Sequence, residues 1–149
     1  MSPTNWKKLP ITEVNIKTRG ESLYEITNEI REALDKLIRN INPNGTLYLF
    51  IPHTSCALTI NEAFDPTARE DLEKFLSHLA PRNLKFIKHK AEGEDDSPSH
   101  MKSILLQSDI NLIIQDGKIE MGTWQGIYLA EFRDGPHERR VLVKYRPDF

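Results

Sequence analysis

Asp116-Gly117 is a dipeptide that reverses a strand on itself, and here β-prone residues flank it on both sides. A two-residue type I′ turn needs positive φ at both central positions, which aspartate and glycine tolerate well. Ile110, Leu112, Ile113 and Ile114 lead into the turn and residues 118–121 lead out, so the spacing predicts an antiparallel hairpin. Residues 126–132 and 140–145 alternate as two further strands joined through Asp134-Gly135-Pro136, which predicts consecutive hairpins to the C-terminal end. A chain built this way is bound to an antiparallel sheet.

Helices supply the remaining layer. Ser22 and Glu25 fit a capping box, and Leu23, Ile26, Ile30, Leu34, Leu37 and Ile38 recur at helical spacing, predicting a helix over about 22–39. Asp65-Pro66 predicts a second helix start, with Leu72, Phe75, Leu76 and Leu79 as its buried face. Ser97-Pro98 repeats that signal and predicts a short helix through Leu106, with His100 in its first turn. Residues 9–18 read as a first strand. Residues 46–52 and 57–61 read as a hairpin whose turn holds His53-Thr54-Ser55. The sum is six to eight strands and about three helices in one domain spanning residues 1–149, an α+β fold of mostly antiparallel sheet layers.

Composition narrows the function class. Twenty basic against twenty-two acidic residues leave a net charge of −2, without the basic excess expected of a nucleic-acid partner. No apolar run approaches the ~20 residues that span a bilayer, and Met1 to Lys8 lack a signal-like apolar region. The one cysteine, Cys56, has no partner for an internal disulfide. A cytoplasmic globular protein is expected. Neither Gly-x-x-x-x-Gly-Lys-Ser/Thr nor Gly-x-Gly-x-x-Gly occurs, so a standard nucleoside triphosphate or dinucleotide loop is excluded.

His53, His89 and His100 bracket the acidic run Glu92-Gly93-Glu94-Asp95-Asp96. Imidazole and carboxylate are the ligands that a borderline divalent cation selects, and three imidazoles would leave a fourth position open. Asp96 is the best carboxylate candidate because it lies nearest His100 in the chain, and Gly93 suits a positive φ. The metal would be zinc or, if a pyrophosphate joins it, magnesium. Glu62, which with Asn61 ends a strand, is a candidate general base. Thr54 and Ser55 offer hydroxyls beside His53. A serine nucleophile is disfavoured because no Gly-x-Ser-x-Gly elbow is present. Trp124 and Gln125 sit between Gly122 and Gly126, which allow close backbone approach. Lys102, Arg69, Arg139 and Arg140 are cations for a phosphate. His78 and His137 read as structural or solvated.

Three stretches of this sequence resemble the YjbQ-like family, some of whose members are labelled secondary thiamine-phosphate synthase. They are His53-Thr54-Ser55-Cys56-Ala57-Leu58-Thr59-Ile60-Asn61-Glu62, Glu92-Gly93 through Pro98-Ser99-His100-Met101-Lys102, and Gly122-Thr123-Trp124-Gln125-Gly126-Ile127-Tyr128-Leu129 with Glu131. The resemblance covers nearly the whole chain and departs mildly at Cys56 and Ser99. It implies an α+β subunit in a homotrimer with a site near the subunit boundary. It also implies coupling of a pyrimidine pyrophosphate to a thiazole phosphate, and it adds Glu131 as a catalytic candidate. The expected function is therefore a metal-binding enzyme acting on a small phosphorylated heterocycle. His53, His89, His100 and Asp96 would hold the metal, and Glu62 or Glu131 would move a proton. Thr54, Ser55, Asn61, Lys102, Trp124 and Gln125 would line the substrate. The alternatives are a non-catalytic trimeric module for a metal or small ligand, and a metal-dependent hydrolase.

Overall fold

The computed structural model describes residues 8–149, so the reading of the N-terminal residues as lacking a signal falls almost wholly outside the described residues. Eight strands and three helices occur among them: β1 (Ile11–Arg19), β2 (Ser22–Glu25), α1 (Thr27–Leu37), β3 (Gly45–Phe50), β4 (Cys56–Glu62), α2 (Pro66–Leu79), α3 (Asp96–Ser103), β5 (Asp109–Gln115), β6 (Lys118–Ile119), β7 (Gln125–Glu131) and β8 (Pro136–Pro147). They form two antiparallel sheets, one of five strands in the order β1-β8-β3-β5-β6 and one of three in the order β2-β7-β4. The α+β class holds. No helix is long and apolar enough to cross a membrane among the described residues.

The Asp116-Gly117 hairpin forms as expected, with φ of 50° and 78° at its two residues and Ile114 opposite Ile119. The other expected hairpins do not form. β3 pairs with β5 and β8, whereas β4 pairs with β7, so His53-Thr54-Ser55 is a crossing between sheets. β7 and β8 likewise lie in different sheets, with β8 placed between β1 and β3. The physical reason is burial. Leu47 and Leu49 from β3, Leu58 from β4, Ile127 and Leu129 from β7, and Val141 and Val143 from β8 all enter one apolar cluster with α1. Two layers enclose that cluster; two adjacent strands of one layer could not.

β7 is buried along almost its whole length. Ile127 and Leu129 face the main cluster, while Tyr128 and Ala130 face a second one with Leu23, Ala57, Leu76 and Phe132. A strand covered on both faces reads as a continuous apolar run, and Gly126 to Ala130 does so.

The predicted helix over 22–39 is corrected to a strand followed by a helix. Ser22 to Glu25 pair with β7, and the Ser22 hydroxyl donates to Glu73 at 2.6 Å instead of capping a helix. The backbone N–H of Ile26 donates to Ile127 O at 2.8 Å, and Thr27 Oγ1 accepts from Ile127 N at 2.9 Å. Pairing with β7 thus overrides the local capping signal. Gly126 allows this approach, since a Cβ there would lie 2.5 Å from Ala63 Cβ and 2.9 Å from Glu25 Oε2.

α2 starts as expected, with the Asp65 side chain accepting from Thr67 N at 2.9 Å and Pro66 at the first position. Its buried face is narrower than the pattern suggests: Leu76 is buried, but Phe75 and Leu79 are exposed. α3 begins two residues earlier than expected, with Asp95 in place of Ser97 at the cap position, and stops at Ser103, so His100 sits one turn after Asp96 and not in the first turn. Ser97 lies inside the helix and not at its cap.

Candidate metal centre

The acidic run divides into two halves. Glu92 and Glu94 are exposed, while Asp95 and Asp96 are buried at the start of α3. Gly93 between them takes φ of 109°, as its residue type suggests. Burying two adjacent carboxylates needs a counter-charge, and Arg133, just past β7, provides it. Its Nε donates to Asp95 Oδ2 at 2.8 Å, its Nη1 to Asp96 Oδ1 at 2.9 Å, and its Nη2 to Glu92 O at 2.8 Å.

Arg133 leaves the second oxygen of Asp96 for two histidines. His89 Nε2 lies 2.7 Å and His100 Nε2 3.2 Å from Asp96 Oδ2. The helical i, i+4 spacing of Asp96 and His100 puts both on one face of α3. His89 comes from the segment before the acidic loop, and the two ring centroids are 5.5 Å apart. One ligand atom from each of His89, Asp96 and His100 lies within 4.8 Å of the others. Burial pushes the Asp96 carboxyl up, but hydrogen bonds with His89 and His100 and the charge of Arg133 outweigh it and hold it below the ordinary value.

His100 tests whether these residues fit a cation. Its Nδ1 lies 2.8 Å from Thr54 O and its Nε2 faces Asp96 Oδ2, so both ring nitrogens face acceptors. A neutral imidazole has one N–H and can satisfy only one of them. Donation from Nδ1 to a backbone carbonyl is the usual outer contact of a metal-ligating histidine, and it leaves the Nε2 lone pair for the ion. Two imidazoles and one carboxylate with further positions open suit zinc or another first-row divalent ion. Magnesium, which prefers oxygen donors, suits them less. The donor set fits.

His53 is not part of that trio. It lies on the sheet crossing and its Nε2 accepts a hydrogen bond from Arg140 N at 2.9 Å. The engaged nitrogen is thus unavailable to an ion in this arrangement. His53 still lines the same cleft, about 820 Å³, with Thr54, His89, His100, Ser103 and Ile104. Burial, then Arg139 and Arg140, lower its proton affinity below the ordinary histidine value.

The other expected site residues are spread more widely. Ser55 is buried and its Oγ accepts from Arg139 Nη2 at 2.8 Å. Glu131 is wholly buried, away from the cleft wall, accepting from Arg139 Nε at 2.8 Å, Arg139 Nη2 at 2.6 Å and Thr18 Oγ1 at 2.6 Å. Burial raises its carboxyl, and the bonds from Arg139 and Thr18 more than reverse that. Cys56 beside them is pushed up to about 12 by burial, so its thiol is unreactive.

Lys102 is buried, bonded to Glu21 and placed 5.2 Å from the centroid of the Phe132 ring. Arg69, Arg139 and Arg140 are paired with Glu73, Glu131 and Glu13. All four cations proposed for a phosphate are therefore already engaged.

Glu62, Trp124 and Gln125 occupy the opposite end of β4 and β7 from the crossing, where Glu62 pairs with Gln125. Seven residues of β4 separate the two ends, about 20 Å at about 3.3 Å per residue. There Asn61 Oδ1 accepts from Glu62 N at 2.8 Å, and Glu62 accepts from Asp65 N at 3.1 Å. Trp124 packs edge-on against Phe64, with ring centroids 4.6 Å apart, and Gln125 Oε1 accepts from Gly122 N at 2.8 Å. Within one chain these residues do not join the histidine cluster, and the single pocket expected from the sequence is two separate regions. Arg133 is absent from the residues that the sequence singles out. The signal for it is the need of an acidic run for a nearby cation.

The family model for UPF0047 YjbQ-like proteins matches residues 12–148. The UPF0047 protein YjbQ of Escherichia coli O157:H7 is 41% identical over 93% of this chain and 96% of its own length. The UPF0047 protein MJ1081 of Methanocaldococcus jannaschii is 42% identical over 87% of this chain and 88% of its own. Among solved structures, an uncharacterized conserved protein of Clostridium acetobutylicum superposes with a TM-score of 0.80 at 38% identity, covering 91% of this chain and 99% of that one. The conserved hypothetical protein TT1486 of Thermus thermophilus gives a TM-score of 0.79 at 37% identity, with the same coverage. Fold, length and sequence agree along nearly the whole chain, and it belongs to the UPF0047 YjbQ-like family.

Proposed function

We propose that this protein is a divalent-metal-dependent enzyme acting on a small phosphorylated heterocycle, with His89, Asp96 and His100 as the metal ligands. The observation that carries the reading is the convergence of His89 Nε2, His100 Nε2 and Asp96 Oδ2 beside a cleft of about 820 Å³. A divalent ion held there would act as a Lewis acid toward a phosphate oxygen or carry a water. The chain's own residues do the rest. Thr54 O fixes the tautomer of His100, Arg133 orients Asp96, and Ile104 and Leu106 give the cleft an apolar wall. With every proposed phosphate-binding cation already paired, the metal centre and the imidazoles are the groups left to receive an anion.

The specific reaction we propose is the thiamine-phosphate synthase coupling implied by the family resemblance. A carbon–nitrogen bond forms between the pyrimidine and thiazole parts, the carbon–oxygen bond to pyrophosphate breaks, and pyrophosphate leaves. The expected result is near-stoichiometric metal in the purified protein by elemental analysis. That metal is lost in His89→Ala and His100→Ala, and product formation is lost with it. Metal-free wild-type protein would refute the metal centre. Full metal content without turnover of the two phosphates would favour a non-catalytic ligand-binding module.

We further propose a cytoplasmic homotrimer in which a neighbouring copy brings its Glu62, Trp124 and Gln125 toward the cleft. Trp124 and Phe64 are exposed in the single chain, as residues awaiting a partner surface would be. Light scattering should give three times the mass of the chain; the mass of a single chain would sink this arrangement.

A further inference from the structure

We infer that His53 is a ligand-binding residue and not a metal ligand: it is a neutral imidazole that offers its Nδ1–H to an oxyanion held in the cleft beside the metal centre. This rests on the metal reading above and goes further, assigning His53 a role and the ligand a charged oxygen at that place.

The argument starts from the donor that His53 meets. Arg140 N is a backbone amide, which always carries its hydrogen and cannot accept. It donates to His53 Nε2 at 2.9 Å, so Nε2 must present its lone pair to it. A neutral imidazole with an acceptor at Nε2 carries its proton at Nδ1. Protonating Nε2 would set two N–H groups against each other, and burial together with Arg139 and Arg140 opposes the cationic form as well. The tautomer is thus fixed by the backbone of β8.

Nδ1 has no hydrogen-bond partner among the described residues, and it is not among their buried unsatisfied atoms. It is therefore a donor left open to solvent, on a residue that lines the cleft with His89 and His100. The neighbouring donors are spoken for: Arg139 binds Glu131 and Ser55, and the Arg140 side chain binds Glu13. A fixed, uncharged N–H beside a divalent cation suits a phosphate-type oxygen, which gains a charge-assisted hydrogen bond there. His53 cannot serve the ion through Nε2 without breaking the Arg140 contact.

The test uses the full-length protein loaded with cobalt(II), whose visible spectrum reports its ligands, and inorganic pyrophosphate as the probe. His53→Ala should keep the cobalt stoichiometry and spectrum of the wild type and bind pyrophosphate about 10- to 100-fold more weakly, the loss of one hydrogen bond to a charged group. His53→Asn, whose amide NH₂ sits near the Nδ1 position, should recover part of that affinity. A wild type that takes up no cobalt would bring down the metal reading itself. A wild type that takes it up, while His53→Ala loses cobalt or alters its spectrum, would make His53 a ligand and overturn this inference alone. Unchanged pyrophosphate affinity in His53→Ala would overturn it too.

Discussion

Asp96→Ala is expected to abolish metal binding, with affinity falling more than about 100-fold, beyond the 10- to 100-fold typical of losing an outer partner. Asp96 gives the trio its only negative charge, and its Oδ2 is the point on which both imidazole nitrogens converge. Asp96→Asn should fail almost as badly. An amide must turn its NH₂ either toward Arg133 Nη1 or toward the two histidines, and each placement sets donor against donor or removes the anion. Arg133→Met tests the layer behind. It leaves all three proposed ligands in place but frees Asp96 from its orienting bond and leaves Asp95 buried without its guanidinium, so a loss nearer 10- to 100-fold is expected. Competition against a chromophoric chelator measures all three. Wild-type affinity in Asp96→Ala would mean that the trio does not hold the ion.

The largest stability effect is expected at Glu131→Ala, a loss of about 3–5 kcal/mol, the usual cost of removing one partner of a buried ion pair. Global stability of small proteins is about 5–15 kcal/mol, so this is a large share of it. The carboxylate accepts from Arg139 twice, from Thr18, and from the backbone N–H groups of Phe132 and Arg133. Removing it leaves a buried guanidinium with only Ser55 as partner among the described residues. Glu131→Gln keeps the shape and should cost less.

The acid limit separates the wild type from both variants. Because folding lowers the Glu131 carboxyl below its ordinary value of 4.5, its contribution is fully present above that value. It fades as pH falls through the lower folded value. Wild-type stability should drop below about pH 4.5 by more than that of Glu131→Gln, which has no proton to take up there. Denaturant melts between pH 3 and 7 read this directly, and parallel curves would exclude it.

Local signals are legible wherever the local chain decides the outcome. Asp116-Gly117 sets its turn through φ preferences that no distant contact alters, and Asp65-Pro66 starts α2 in the same way. What the sequence hides is partner choice. Alternation marks β3, β4, β7 and β8 as strands but carries no label for the sheet each joins, so strands adjacent in the chain read as hairpins. Ser22 to Glu25 mislead for a related reason, since a strong capping pattern loses to the edge of β7. In the candidate site, residue type and the motif resemblance point to His89, Asp96 and His100. The role of Arg133 and the Arg140 contact to His53 arise from crossings between sheets, which no linear spacing encodes.

The double burial of β7 ties the fate of the whole molecule together. Its alternate side chains belong to two different apolar clusters, and its edges are taken by β2 on one side and β4 on the other. Neither cluster can open without exposing a strand that the other also needs. The chain is therefore built to melt in a single cooperative step, and a weakened contact in one layer lowers the melting point of both.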